Sequence, residues 1–250
     1  MNEMYVSGRN PVLELLKSEK QIDKLYVLKG DLKGSITKII GIAKDRKIVV
    51  QQVDKTKLDS MSQGNAHQGV VALVTGFVYS SLDDILAVAK SRGEKPFVVI
   101  LDGIEDTHNL GAIIRTAECA GVHGVIIPKR RSAMVNQTVY KSSAGAVEFM
   151  RIAQVNNIVQ AMEELKAKGL WLYGADADAA KSYSDTEMKG SIGLVIGGEG
   201  KGLSRLVKEK CDVLVSIPMK GKISSLNASN ATSILIYEAV RQSHGKQLQE

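Results

Sequence analysis

Apolar and polar residues alternate along this chain in two rhythms. From Phe97 onward, short unbroken apolar runs recur between longer stretches of helical periodicity. The runs 97–101, 125–127, 149–153, 170–174, 192–196 and 213–217 predict buried strands. The stretches 109–120, 135–143, 158–168, 203–210 and 228–242 predict helices. Strands that are apolar on both faces belong to a parallel sheet covered by helices on either side. Ligands of such sheets bind outside the carboxyl ends of the strands. The loops leaving those ends are therefore where chemistry is expected.

The first 80 residues follow a shorter α/β pattern. It comprises a helix over 11–17 with Pro11 in its first turn, a strand over 22–28 and a helix over 35–45 capped by Ser35. Strands over 48–53 and 69–74 complete a small unit of about 75 residues. Residues 80–96, polar and closed by Pro96, read as a linker that is helical only at 82–89. The expected organisation is a small domain over 1–79, the linker, and a larger α/β domain over 97–250.

Composition narrows the class. The chain has 250 residues, 44% hydrophobic and 24% charged, as an ordinary soluble protein does. No apolar run approaches the ~20 residues that span a bilayer. The opening MNEMYVSGRNP lacks the basic and apolar regions of a signal peptide, so a cytoplasmic protein is expected. Cys119 and Cys211 sit in apolar periodic stretches and predict two buried thiols. Two cysteines supply neither a disulfide framework nor a four-ligand metal site, and no metal is expected. The net charge is +6. Residues 1–80 carry 12 Lys and Arg against 8 Asp and Glu, a net +4, and residues 97–250 carry 18 against 16, a net +2. The excess favours a polyanionic partner, most of all for the N-terminal part.

Three strand-end loops and one cationic run carry candidate chemistry. In the first loop, Leu101–Gly121, Asn109 and Gly111 open a helix and Arg115 follows. Six residues along a helix is about 240° around its axis, so Asn109 and Arg115 do not share a face. They can converge only if Asn109 lies in the loop; otherwise they are a cap and a surface arginine. The second loop is GGEGKGLS from Gly197 to Ser204. It fits neither phosphate-binding glycine pattern, since Lys201 is followed by Gly202 and not by Ser or Thr. A glutamate between glycines suggests a carboxylate held beside a closely approached ligand; the alternative is a surface turn. The third, IPMKGKISSLNASNA from Ile217 to Ala231, is rich in small residues and leads into a helix for which Ser224, Ser225 or Asn227 can act as cap. Lys129, Arg130 and Arg131 follow a strand end, where phosphate contact competes with a merely solvated face. His67, at a strand start, has the same two readings.

In this order and spacing the three loops resemble the motifs of the SPOUT superfamily, specifically the SpoU (TrmH-like) RNA ribose 2′-O-methyltransferases. The residues that carry the likeness are N-x-G-x-x-x-R-T from Asn109, GGEGKGLS from Gly197 and IPMKGKISSLNASNA from Ile217. It covers residues 97–245 strongly. The first 80 residues resemble the family's small L30e-like substrate-binding domain through their size, their βα pattern and HQGVVA from His67.

The resemblance implies a parallel-sheet domain with a trefoil knot, a homodimer, and S-adenosylmethionine bound at the knot. Gly197, Gly198, Ile217, Met219 and Leu226 match the cofactor-holding positions. Asn109, Arg115, Glu199, Ser225 and Asn227 match the catalytic set. The implied reaction is methyl transfer to a ribose 2′-hydroxyl of RNA, without a metal or a membrane. Lys129, Arg130, Arg131 and His67 are the candidate RNA contacts. The two-domain layout looks most like the enzymes that methylate a guanosine of 23S rRNA; the alternatives are the same chemistry on tRNA, or a non-catalytic RNA-binding ribosome-assembly factor.

Overall fold

The structure, a computed structural model, describes residues 3–18, 22–30, 34–62, 64–75 and 77–243. The chain begins with β1 (Glu3–Ser7), α1 (Arg9–Lys17), β2 (Ile22–Leu28), α2 (Ser35–Asp45), β3 (Val49–Val53), α3 (Lys55–Ser62) and β4 (Val70–Thr75). It continues through α4 (Leu82–Arg92), β5 (Phe97–Asp102), α5 (Thr107–Cys119), β6 (Gly124–Pro128) and α6 (Gln137–Ser142). Then come β7 (Ile152–Val155), α7 (Ile158–Ala167), β8 (Trp171–Ala175), β9 (Ile192–Gly197), α8 (Arg205–Lys210), β10 (Val213–Val215) and α9 (Ala228–Ser243).

The chain folds as two compact units, residues 1–78 with 135–149, and residues 79–134 with 150–250. In the first, a four-stranded sheet runs β1-β4-β2-β3, with β2 and β3 parallel and the other pairs antiparallel. The strand β1 and the helix α3 were not foreseen; α3 offers only Leu58 and Met61 as apolar positions, too few for a visible period. Ser35 does not cap α2: Gly34 holds the cap position, and Ser35 is the first helical residue.

Residues 135–149 lie in a stretch read from sequence as part of the larger domain, yet they pack with the N-terminal residues. Gln137 Nε2 donates to Ser7 Oγ, and Ser18 Oγ donates to Glu148 Oε2 at 3.1 Å. A Cβ on Gly145 would lie 2.6 Å from Glu14 Cβ, which shows how close α1 comes to this segment. The strand expected at 149–153 starts later, at Ile152, because residues 146–148 form a 3-10 turn and Phe149 is exposed.

The second unit holds a six-stranded, wholly parallel sheet in the order β10-β8-β9-β5-β6-β7. From β5 the chain builds outward through β6 and β7, then returns to place β8, β9 and β10 on the other side. The order therefore reverses between β5 and β9, whose carboxyl-end residues Asp102 and Gly197 are paired. Such a switch point opens a crevice for ligands.

The segment read as a linker is built into this unit. A capping box between Ser81 and Asp84 starts α4, and Gly93 at φ 68 ends it. Ile85 on α4 is fully buried, and a Cβ on Gly124 would lie 2.5 Å from its Cγ1. The glycine at the start of β6 thus makes room for the isoleucine. Cys119, the last residue of α5, is exposed rather than buried, and Cys211 is only partly covered.

Candidate active site

The first catalytic candidate is set by a capped helix. Asp106 accepts the His108 N–H at 2.8 Å and starts α5, placing Asn109 inside the first turn and not in the loop. Asn109 is buried. Arg115, further along the same helix, is exposed. The two do not converge, as the helical offset required.

The glycine-rich loop after β9 closes on itself. Gly202 N–H donates to Gly198 O at 3.0 Å, and Gly200 and Gly202 take φ of 75 and 63. A Cβ on Gly197 would lie 2.1 Å from the Gly202 carbonyl carbon, and one on Gly198 would lie 2.3 Å from Gly103 O. Both glycines are needed because backbone passes against backbone, with no room for a side chain. Asp102 also ties the loop down, its Oδ2 accepting the Ser204 N–H at 2.7 Å. The result is a tight turn that presents Glu199.

Asn227 comes to the same place from the last loop. Its Oδ1 accepts from Ser229 N–H at 3.0 Å and from Ser229 Oγ at 2.6 Å, so it caps α9. Its amide nitrogen donates to Asn109 Oδ1 at 3.0 Å and to Glu199 Oε1 at 2.9 Å. Asn109 Nδ2 also donates to Glu199 Oε1. One residue from the first turn of α5 and two from strand-end loops thus form a closed ring. The polar capacity of Asn227 is fully used, which locks its orientation. Both bonds to Glu199 end on Oε1, and Oε2 takes part in neither.

Two cavities meet at this ring. The first, about 820 Å³, is lined by Gly197, Gly198, Ile217, Met219, Ser225 and Leu226, with Ala231 and Ile196 among its apolar surfaces. All five expected cofactor positions and Ser225 therefore share one cavity. Asp176 and Asp178, not singled out from sequence, also line it. Asp176 pairs with Lys208 at 2.6 Å, and this bond holds the Lys208 ammonium above the usual lysine range. Only the position of Asp176 just beyond an apolar strand hinted at it. The second cavity, about 770 Å³, is lined by Asn109, Arg130 and Arg131. Gly198, Glu199, Lys201 and Gly202 line both.

Lys129, Arg130 and Arg131 are exposed after β6, but Lys129 lies outside both cavity walls. His67 takes a different part. It is buried in the first unit, its Nδ1 accepting the Gly69 N–H at 2.9 Å and its Nε2 facing Asp59 Oδ1 at 3.0 Å. Both ring nitrogens are spent on bracing the turn before β4, and neither is left to meet RNA. Among the described residues no group of three or more His, Cys, Asp or Glu is placed to hold a metal ion.

Known proteins resemble this chain over its full length. The sequence profile of the SpoU rRNA Methylase family matches residues 96–237, and that of RNA 2′-O ribose methyltransferase substrate binding matches residues 5–80. The Bacillus subtilis (strain 168) protein YacO, which bears a TrmH family tRNA/rRNA methyltransferase name, is 46% identical over 238 residues, 95% of each chain. Among solved structures, the SpoU methyltransferase AviRb from Streptomyces viridochromogenes, in complex with the cofactor AdoMet, aligns with a TM-score of 0.81 and 27% identity, over 96% of this chain and 90% of that one. The A. aeolicus TrmH/SpoU tRNA modifying enzyme aligns with a TM-score of 0.54 and 30% identity, over 60% of this chain and 76% of that one.

Proposed function

Because this chain belongs to the SpoU family of RNA methyltransferases, we propose that it transfers a methyl group from S-adenosylmethionine to a ribose 2′-hydroxyl of 23S rRNA, on a guanosine. The observation that carries this reading is the ring of Asn109, Glu199 and Asn227 at the meeting of two cavities. One cavity suits a methyl donor and the other opens towards exposed arginines.

The first cavity fits the donor. Its size lies within the ~300–1,000 Å³ of small-molecule sites. Ile217, Leu226 and Ala231 offer apolar contact to an adenine, and Asp178 offers a carboxylate to ribose hydroxyls or an ammonium. The exposed leucine and methionine at 226 and 219, 39% and 37% accessible, suit a surface awaiting an apolar ligand. When bound, S-adenosylmethionine supplies a methyl group on a sulfonium, with its leaving group already in place.

The residues of the chain then have to position one hydroxyl and tolerate charge growing on its oxygen. The ring holds the Glu199 carboxylate and two amides in one geometry, so alignment costs little at the moment of reaction. Arg115 is a permanent cation, since a guanidinium is not deprotonated in proteins. Its role is to stabilise the developing alkoxide or a neighbouring phosphate. Arg115 is exposed and the loop 218–227 is wholly exposed in a single chain. Both facts support a homodimer in which a second copy completes each site.

Ribosomal RNA is favoured over tRNA by the N-terminal unit. The tRNA modifying enzyme aligns with 60% of this chain, and residues 5–80 match a separate substrate-binding profile. The test is incubation with labelled S-adenosylmethionine and unmodified total RNA, followed by nucleoside analysis of the separated RNAs. The expected product is 2′-O-methylguanosine in 23S rRNA. Label in tRNA alone would replace the substrate assignment, and no label in any RNA would overturn the catalytic reading.

A further inference from the structure

We infer that the second cavity is the acceptor-nucleotide pocket, taking one flipped-out nucleotide of an RNA with its flanking phosphates on Arg130 and Arg131. This rests on the methyltransferase reading above and adds to it a place for the second substrate. The two cavities share the wall formed by Gly198, Glu199, Lys201 and Gly202. A nucleotide in the second cavity would therefore sit across that wall from the methyl donor. Asn109, a member of the ring, lines only this second cavity, while Ser225 and Leu226 line only the first. Glu199, which Asn109 and Asn227 both bond, is the ring member that lines both cavities.

The lining suits a nucleotide. Ile158, Val159 and Leu206 give an apolar wall, and Asn156 and Asn157 carry amides at the same cavity. Leu206 is 52% exposed, an apolar side chain left in water on α8. An unstacked base is recognised by such surfaces, by stacking and by hydrogen bonds to its exposed edge. Four carboxylates line this cavity, those of Asp102, Glu105, Asp106 and Glu199. Asp102 Oδ2 accepts from Ser204, and Asp106 Oδ1 accepts from His108. Arg130, Arg131 and Lys201 line the same cavity and supply its positive charge.

The loop that carries the two exposed arginines is pinned. Ala133 N–H donates to Ile104 O at 2.7 Å, and Ser132 Oγ donates to the same carbonyl at 3.3 Å. These bonds pin the loop after β6 to the loop after β5. Arg131 itself takes φ 55, a conformation uncommon for a residue with a side chain. The backbone that carries the cations is thus fixed beside the cavity that Asn109 lines, where phosphate contacts set register and base contacts set identity.

The test uses the full-length protein, 23S rRNA and tRNA transcribed without modification, and S-adenosylmethionine. The variants are Arg130→Ala with Arg131→Ala, and Leu206→Asp, the latter on an exposed position whose change leaves the core untouched. Calorimetric S-adenosylmethionine affinity should stay within about twofold of wild type in both. The KM for the methylated RNA should rise at least about tenfold, with kcat changing little, as for loss of uniform binding. In the double arginine variant the slope of log affinity against log salt should flatten by about 1.4, the value for two phosphate contacts on a single strand. Unchanged KM and salt slope in variants that still bind S-adenosylmethionine would overturn the pocket assignment and leave the methyltransferase reading standing. If the wild-type protein methylates neither RNA, that reading falls and the pocket assignment falls with it.

Discussion

Glu199 and Asn227, 28 positions apart in sequence, are joined by one hydrogen bond, Asn227 Nδ2 donating to Glu199 Oε1 at 2.9 Å. Asn109 donates to the same oxygen. One carboxylate oxygen therefore sets the orientation of two amides. Glu199→Gln keeps an acceptor oxygen but removes the charge, whereas Glu199→Ala removes both. Single-turnover methylation should fall at least ~100-fold in Glu199→Ala, the scale for losing one preorganised electrostatic group. Glu199→Gln should fall between it and wild type. Equal rates in all three would show that the ring has no part in the reaction.

Gly198 lies where backbone passes backbone. A Cβ there would be 2.3 Å from Gly103 O, so Gly198→Ala must displace the loop after β9 or the loop after β5. Both belong to the proposed binding walls. S-adenosylmethionine affinity by calorimetry should drop at least about tenfold, or 1.4 kcal/mol. Gly221→Ala, with nothing within 4 Å of its added Cβ, is the matched control and should bind normally. A folded Gly198→Ala protein with wild-type affinity would place the donor elsewhere.

Arg115 should be needed for methyl transfer and not for folding, because its side chain is exposed on α5. Arg115→Ala is expected to slow single-turnover methylation at least ~100-fold. Arg115→Lys should recover little, since a point charge on a flexible stem does not reproduce a planar fork. Unfolding midpoints should remain near wild type. Turnover close to normal in Arg115→Ala would return this residue to the surface of a capped helix.

Ile85 carries a stability prediction. It is fully buried in the core that also contains Val98, Ile126 and Leu172. Ile85→Ala should destabilise the protein by about 2–5 kcal/mol, the range for emptying such a site. Chemical denaturation of the full chain reads this directly. A change under about 0.5 kcal/mol, the scale of a surface substitution, would mean that residues 80–96 are a tether after all.

The two cysteines should differ towards alkylating reagents. Burial pushes the Cys211 thiol up to about 12, so at pH 8 almost none is thiolate, the reactive form. Its Sγ also donates to Val207 O at 3.3 Å. Cys119 is exposed. Peptide mapping after brief iodoacetamide treatment should find Cys119 modified and Cys211 intact. Preferential labelling of Cys211 would contradict the burial that holds its proton.

Local pattern determined most strands and helices of the second unit, α4 and the start of β7 apart. Unbroken apolar runs and helical periodicity are written into neighbouring residues, so β5 and β9 were legible almost residue for residue. The three loop motifs were legible too, because glycines and small polar residues at strand ends mark places where backbone or ligand comes close. What sequence spacing could not decide was which loops meet. Asn109, Glu199 and Asn227 converge because the strand order reverses between β5 and β9, a property of the sheet and not of any segment.

The same reason explains the readings that changed. His67 resembled an RNA contact until burial and Asp59 occupied its ring. Residues 80–96 resembled a linker because polar residues flank a narrow buried stripe of Leu82, Ile85 and Ala89. Residues 135–149 pack with a unit that ends some 60 positions earlier, at Val78. Contacts at that separation leave no periodic trace, since each side supplies only half of the surface. Sequence thus set the local geometry and the chemical inventory, and tertiary packing chose which members of that inventory share a site.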